Sequence, residues 1–165
     1  MIHRFLKFIL LSAIAATTTV VDAATDYSSV LSATQSFLEN RAFKNEDGVL
    51  LSFGLLHIRS AQMSEISVTL RMRSGEVSSF REKIWANGAQ AFVDQYVDDQ
   101  NIGSFLVSVE APFHVLRIRP LNPGESDFIS RECAFDTGKE LHVCYFKMKH
   151  DHDVFVSTFW EIANP

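Results

Sequence analysis

Five strand-like segments fill the C-terminal part of the chain, and no other feature of the sequence limits the fold as much. They lie at 102–110, 113–119, 127–134, 141–149 and 154–162. Pro112, Pro120 and the Pro123-Gly124 pair punctuate them. The connections between these segments are short, so neighbouring strands should run antiparallel rather than form βαβ repeats.

The N-terminal part mixes helical and strand patterns. Residues 28–43 carry apolar side chains at helical spacing. Two strands follow, at 49–59 and 66–73. Ser79 and Glu82 match a capping box, in which the two residues satisfy each other's free backbone donors. A second helix is therefore predicted from there to about Asp98, with Asn87-Gly88 kinking or splitting it.

This order of elements predicts an α+β fold. Its core would be a mainly antiparallel sheet of about six or seven strands, with two helices packed on one face. Apolar residues make up 47% of the chain, enough to bury a core that offsets the entropy of the chain.

The N-terminus is typical of a signal peptide. Arg4 and Lys7 precede an apolar run over 8–16, and Val21 and Ala23 stand where signal peptidase requires small side chains. We predict cleavage after Ala23, so residues 1–23 would be removed. Residues 24–165 would remain as one globular domain. The alternative is an uncleaved anchor, but the apolar run is well short of the roughly 20 residues that span a bilayer.

A chain with this leader is expected to be periplasmic or extracellular, without stable insertion in a membrane after cleavage. Removal of Arg4, Lys7 and Asp22 would change the net charge from −5 to −6. Nucleic acids and anionic membranes carry negative charge, so an acidic domain is a poor partner for either. A basic protein is the more suitable partner for such a chain.

The two cysteines predict a cross-strand disulfide, because thiol pairs oxidise outside the cytoplasm. Cys133 and Cys144 flank a predicted hairpin. A two-residue turn at Thr137-Gly138 would place Cys133 opposite His142, whereas a four-residue loop over Thr137–Glu140 sets the cysteines opposite each other. We predict the four-residue loop. Buried free thiols and a redox or metal role are the alternatives.

Two arginine pairs are the candidate binding residues. Arg71 and Arg73 share one strand face, as do Arg117 and Arg119. If their strands were neighbours, the guanidinium groups would form a patch for carboxylate or phosphate. The alternative is an exposed sheet face whose arginines pair with nearby carboxylates, including Glu110.

Histidines supply weaker candidates for metal binding and catalysis. His150 and His152 stand in a run of alternating histidine and aspartate, but no third or fourth ligand is apparent, and no metal or other cofactor is predicted. His57 and His114 lack a recognisable nucleophile motif. A lone histidine among apolar residues is more often a hydrogen-bonded core residue, so no catalytic residue is assigned.

Export, small size and the lack of a catalytic motif favour a non-catalytic binding module that acts through protein–protein contacts. An inhibitor, an immunity-type protein or an accessory subunit would fit that description. The alternative is a small exported enzyme or ligand carrier with a pocket in a curved sheet. A deep pocket with a histidine beside a carboxylate would favour the enzyme, and a filled core would favour the binder.

Overall fold

The computed structural model describes residues 25–110, 115–122, 124, 127–150 and 153–163. Its single helix, α1, spans Tyr27–Phe37. The strands of this described part are β1 (Ala42–Lys44), β2 (Leu50–Ser60), β3 (Met63–Arg71), β4 (Val77–Asn87), β5 (Gln90–Val97), β6 (Gln100–Glu110), β7 (Val115–Pro120), β8 (Phe128–Asp136), β9 (Leu141–His150) and β10 (Asp153–Ile162). They form one closed antiparallel barrel in the order β1-β10-β9-β8-β7-β6-β5-β4-β3-β2.

The predicted α+β fold with two helices and six or seven strands is therefore wrong. The second predicted helix is the hairpin of β4 and β5, in which Asn87 pairs with Gln90 across a two-residue turn. Gly88 lies in that turn with φ at 63°, a conformation that glycine adopts without strain. Asn-Gly between two apolar stretches is a strong hairpin signal, and here it outweighs the apparent capping box.

A buried charge explains why β4 resembled a helix. Phe80, Glu82 and Ile84 all point into the barrel, but the charged residue in the middle interrupts the apolar alternation. Phe80 and Ile84 are then left four residues apart, which is the spacing of a helix face.

The carboxylate of Glu82 is fully paired inside the barrel. The guanidinium of Arg131, on β8, donates two hydrogen bonds to it at 2.7 and 2.8 Å, and the Gln95 amide donates another at 2.8 Å. The guanidinium also lies 5.2 Å from the ring centroid of Phe53. Both charged residues are buried, so the pair links opposite walls of the barrel through its interior.

Apolar side chains fill the rest of the interior. The described core includes Leu51, Ile66, Val68, Val93, Phe105, Val107, Leu116, Ile118 and Phe159. They follow the period of two that inward-facing strand residues require. These side chains form one apolar cluster in the interior of the described barrel.

The first helix is shorter than its predicted span of 28–43. It ends at Phe37, and Asn40 takes a positive φ of 54°, which a continuing helix does not allow. The chain then enters β1, where Phe43 is fully buried.

Short turns join most consecutive strands, so the connections alternate between the two ends of the barrel. α1 lies across the end that holds the β2–β3, β4–β5 and β8–β9 turns, and it contacts strands β4 to β8 there. We call this the helix end. The opposite end, which holds the β1–β2, β3–β4 and β5–β6 turns, the last residue of β9 and the first residue of β10, is the distal end.

The buried face of α1 closes the helix end. Val30, Ala33 and Phe37 join the barrel core from above. Asp26 caps the helix, and hydrogen bonds from the Ser28 hydroxyl and the Ser29 backbone lower the pKa of Asp26 to about 2. The helix therefore covers one end of the barrel instead of one face of a sheet.

The five strands predicted in the C-terminal part are confirmed as β6 to β10, apart from residues 113–114, which lie outside the described ranges. Residues 49–59 are nearly all apolar, a pattern that predicts a strand covered on both faces, and this prediction is wrong. Leu55 and Ile58 in the second half of β2 are largely exposed. The predicted signal peptide, 1–23, also lies outside the described ranges and stays a prediction.

No helix in the described ranges has the length and apolar character that crossing a membrane requires.

The predicted disulfide is confirmed. Cys133 and Cys144 are bonded and directly opposed across β8 and β9, with their Cα atoms 4.1 Å apart. Asp136 pairs with Leu141, so the connection is the predicted four-residue loop. Both cysteines are buried in the core, where reductants have no access. The bond acts as a structural cross-link rather than a redox centre.

Candidate functional site

The structure does not bring the two arginine pairs onto neighbouring strands. Arg71 ends β3 and Arg73 follows in the next turn, whereas Arg117 and Arg119 lie on β7. Strands β4, β5 and β6 separate β3 from β7 around the barrel. The condition for a joint guanidinium patch is therefore not met.

Arg117 is engaged by carboxylates on the outer face of the barrel, as the alternative interpretation expected. It pairs with Glu110, and its Nε lies 3.3 Å from the Glu132 carboxylate. Burial alone would raise the pKa of Glu132, but a 2.8 Å hydrogen bond from Lys147 and the nearby Arg117 hold that pKa below its usual value. This network stabilises charges on β6 to β9 and leaves little of Arg117 for a ligand.

Arg71 and Arg73 are exposed at the distal end. They line a shallow depression of about 550 Å³ beside the β1–β2 turn, together with Lys44, Glu46 and Asp47. This depression combines charges of both signs, so it does not select a carboxylate or phosphate ligand.

The histidine candidates do not form a site in the described part of the chain. His150 is exposed at the end of β9, and His152 and His114 lie outside that part. Across the described residues, no three histidine, cysteine or acidic side chains group closely enough to hold a metal ion. His57 is exposed on β2, so its assignment as a core residue is wrong.

A different histidine, His142, takes part in a polar cluster at the helix end. Its Nδ1 lies 2.8 Å from the Glu161 carboxylate, which also accepts a 3.0 Å hydrogen bond from the His142 backbone. Arg41 pairs with the other carboxylate oxygen, and its Nε donates to the Ser36 carbonyl at 3.2 Å. We call Arg41, His142 and Glu161 the helix clasp, because they tie the last turn of α1 to β9 and β10.

Burial raises the pKa of Glu161, but its hydrogen bonds to His142 and Arg41 outweigh that effect. The pKa of Glu161 is therefore lower than usual. Arg41 also places a cation at the C-terminal end of α1, where the helix dipole favours it. The sequence contained no signal for this cluster, because its members are joined only by the pairing of β9, β10 and β1.

An open groove of about 820 Å³ runs along α1 at the helix end. Its polar wall is formed by serines on one side of the helix, and its apolar wall by residues of the helix and the barrel rim. The lining residues are Ser28, Ser29, Ser32, Ala33, Ser36, Phe37, Val109, Ala134, Phe135 and Thr137.

Exposed apolar side chains collect at the distal end. Among the described residues, twelve large apolar side chains are exposed, and nine of them belong to this end: Met72, Val77, Val97, Ile102, Leu121, Met148, Val154, Phe155 and Val156. The last three are consecutive on β10 and are exposed by 60%, 52% and 54%. Consecutive residues of a strand point to opposite faces, so this stretch is uncovered on both sides.

The sequence places apolar side chains on both faces of β10, and this pattern has two explanations: a central strand in the core, or a face covered by a partner. Phe159, near the end of the strand, is buried in the core as the first explanation requires. Residues 154–156 extend beyond the packed part of the barrel and match the second. We call Val154, Phe155 and Val156 the β10 edge segment.

Comparisons with protein-family models, with curated proteins and with solved structures found no match for this chain. Its function is therefore inferred from the geometry alone.

Proposed function

We propose that this protein is an exported, non-catalytic binding protein that recognises another protein through the distal end of its barrel. The observation that carries the proposal is the exposed β10 edge segment on a barrel whose interior is already filled. Large contiguous apolar patches on a soluble protein mark interaction sites, and the core gains nothing from leaving these side chains in water.

The net charge of −5 favours a partner with a basic surface. Complementary charge mainly raises the rate of association and its dependence on ionic strength. Export is supported by the buried disulfide and by the leader-like N-terminus. Mass spectrometry of the protein from its source should find Ala24 as the first residue, and a chain that retains residues 1–23 would contradict export with cleavage.

Two matched substitutions test the binding surface. Phe155→Ser and Ile58→Ser each remove a side chain that is more than half exposed, at the distal end and in the helix-end half of β2 respectively. Exported wild-type and variant proteins are immobilised and exposed to an extract of the same source. We expect the wild-type protein and Ile58→Ser to retain the same partner and Phe155→Ser to lose it. Added salt should release the retained partner.

Retention of the same partner by Phe155→Ser would overturn the assignment to the distal end. Loss with Ile58→Ser alone would move the site towards the helix end. Retention that does not weaken as salt rises would contradict a basic partner.

The groove along α1 favours a second candidate function, the carriage of a small amphipathic molecule. Hydroxyl groups on one wall and Phe37 and Phe135 on the other match a ligand with one polar and one apolar side. An anilinonaphthalene sulfonate dye should then fluoresce with wild type and lose affinity about tenfold with Phe135→Ala. Equal affinity for both proteins would remove this candidate.

A further inference from the structure

The barrel has a seam where its shortest strand lies. β1 contains three residues and pairs only with 160–162 of β10 and 50–52 of β2. The remaining length of each long strand therefore has a ladder on one side only, to β9 and β3 respectively. Such edges expose backbone donors and acceptors to any chain that can pair with them.

The two halves of the seam differ. At the helix end, the chain that leads into β1 bonds the β2 edge next to β1: Phe53 donates to the Arg41 carbonyl at 2.9 Å and Asn40 to the Gly54 carbonyl at 3.0 Å. At the distal end, no described backbone group bonds the free side of 153–159. One side-chain contact lies there, a 3.2 Å hydrogen bond from the Asn45 amide to the Ser157 hydroxyl.

The register identifies which backbone groups of β10 face the open side. A Cα separation of 4.1 Å makes Cys133 and Cys144 a narrow pair, which exchanges no backbone hydrogen bonds. Because hydrogen bonding alternates across a strand, Cys144 bonds instead to its β10 partner, Phe159. The β9–β10 register is regular, so odd-numbered residues of β10 bond to β9. Val154 and Val156 direct their N–H and C=O groups to the open side.

This edge lacks the usual protection against pairing. Natural edge strands carry lysine, proline or a bulge, whereas 153–157 has regular pairing and a single charge, at Asp153. Val154, Phe155 and Val156 are β-branched or aromatic, the residue types that strands prefer. Both the backbone and the side chains therefore suit an added strand.

The charges beside the edge indicate what kind of segment would occupy it. A groove of about 330 Å³ lies between the β10 edge and the β1–β2 turn, and the charged residues that line it within the described ranges are Glu46 and Asp47. Glu46 and Asp47 also line the neighbouring depression, and Lys44, Arg71 and Arg73 line only that depression and not the groove. A second copy is a poor occupant. Two-fold pairing centred on Phe155 would set Asp153 opposite Ser157 of the other copy, beside that copy's Glu46 and Asp47.

We propose that the free edge of β10 binds an extended segment of the partner by strand addition, with apolar side chains on the segment contacting the β10 edge segment and basic side chains meeting Glu46 and Asp47. This inference rests on the proposed function and specifies its binding mode. Main-chain hydrogen bonds to Val154 and Val156 supply the pairing, and the alternating side chains supply the selectivity.

A capped octapeptide of alternating valine and lysine is the probe. When it is added to the wild-type protein, amide exchange at Val154 and Val156 should slow by at least about tenfold. Exchange at Phe155 should change little, because its amide is already bonded to β9. A valine–glutamate octapeptide should protect neither amide. Equal protection by both peptides, or none by the lysine peptide, would overturn the proposal.

Substitution at one position separates the backbone from the side chain. Val156→Pro removes a donor on the open side and leaves the ladder to β9 intact, whereas Val156→Ala keeps the donor. We expect about tenfold weaker peptide binding with proline and about threefold or less with alanine. Equal losses would show side-chain docking instead of strand addition. The exchange measurement on wild type stands even if the proline variant fails to fold.

A control measures amide exchange at Val154 and Val156 without peptide as the protein concentration is raised. If exchange slows with concentration alone, a second copy covers the edge, and the proposed occupant is overturned. The proposed function has a separate outcome. If the peptide does not slow amide exchange but Phe155→Ser still abolishes retention of the partner, binding at the distal end is supported and strand addition is contradicted. If both tests fail, both inferences fall.

Discussion

The two ends of the barrel differ in whether their apolar side chains are buried or exposed. At the helix end, α1 buries Val30, Ala33 and Phe37 against the core, and the helix clasp holds its last turn in place. At the distal end, the β10 edge segment and six other large apolar side chains of the described chain are exposed. One seam runs between the ends. On its helix-end side the protein's own backbone bonds Phe53 and Gly54 of β2, whereas no described backbone group bonds the free side of 153–159 on its distal side.

This difference shows what the fold needs and what it leaves available. Folding requires that the apolar side chains of the barrel interior be removed from water. At one end, α1 does this by packing its buried face against them. The apolar side chains at the other end contribute little to folding, because they remain in water in the folded state. Their exposure is the observation that supports the proposed partner.

Breaking the buried ion pair of Glu82 and Arg131 should give the largest loss of stability, and this loss should affect both ends of the barrel together. Glu82→Gln leaves the buried charge of Arg131 without a counter-ion, and the free energy of unfolding should fall by about 3–5 kcal/mol. Urea denaturation measures the loss. As a control, Glu82→Leu combined with Arg131→Met removes both charges and should cost much less. Equal losses would show that volume, not charge, decides the effect.

Two phenylalanine truncations should separate the ends. Phe37 is 8% exposed on α1 and Phe155 is 52% exposed on β10. Phe37→Ala should lower the free energy of unfolding by about 3 kcal/mol, because it opens a cavity under the helix. Phe155→Ala should lower it by less than about 1 kcal/mol. Similar losses, measured by urea denaturation, would mean that the distal end is part of the folding core.

Acid should loosen the helix end through Glu161. Its folded pKa lies below the unfolded value of about 4.3, so its contribution is complete above that pH and disappears as the pH falls through the folded pKa. Glu161→Gln should lower stability by about 1–2 kcal/mol at pH 7 and reduce the loss that wild type shows below about pH 4.3. Chemical denaturation across this range tests it, and parallel pH curves would contradict it.

A substitution in the β5–β6 turn at the distal end should give the smallest change in the free energy of unfolding, and this change should be an increase. Asp98 and Asp99 both have positive φ, 46° and 63°, a conformation that favours glycine at the second position. Asp99→Gly should raise stability by about 0.5 kcal/mol despite the lost ion pair with Arg81, which is worth little on the surface. Asp99→Ala keeps the strain and should lose stability. A loss with glycine as large as with alanine would contradict this explanation.

Several features of the site were within reach of the sequence and others were not. The Asn87-Gly88 pair, which places Gly88 first in the β4–β5 turn, was a hairpin signal that the apparent capping box at Ser79 and Glu82 obscured. The apolar β10 edge segment was visible as a pattern, but core packing was the stronger interpretation of that pattern. His142 and Glu161 gave no signal, since they are 19 residues apart and meet only through strand pairing.

The sequence alone determined the strands of the C-terminal part and the disulfide between Cys133 and Cys144, because alternation and hairpin register are local properties with a period of two residues. Only the tertiary structure decided that the sheet closes, that Glu82 pairs with Arg131 49 residues away, and which half of the seam stays open. These depend on strands distant in the chain meeting around the barrel, and no local pattern encodes which of them become neighbours.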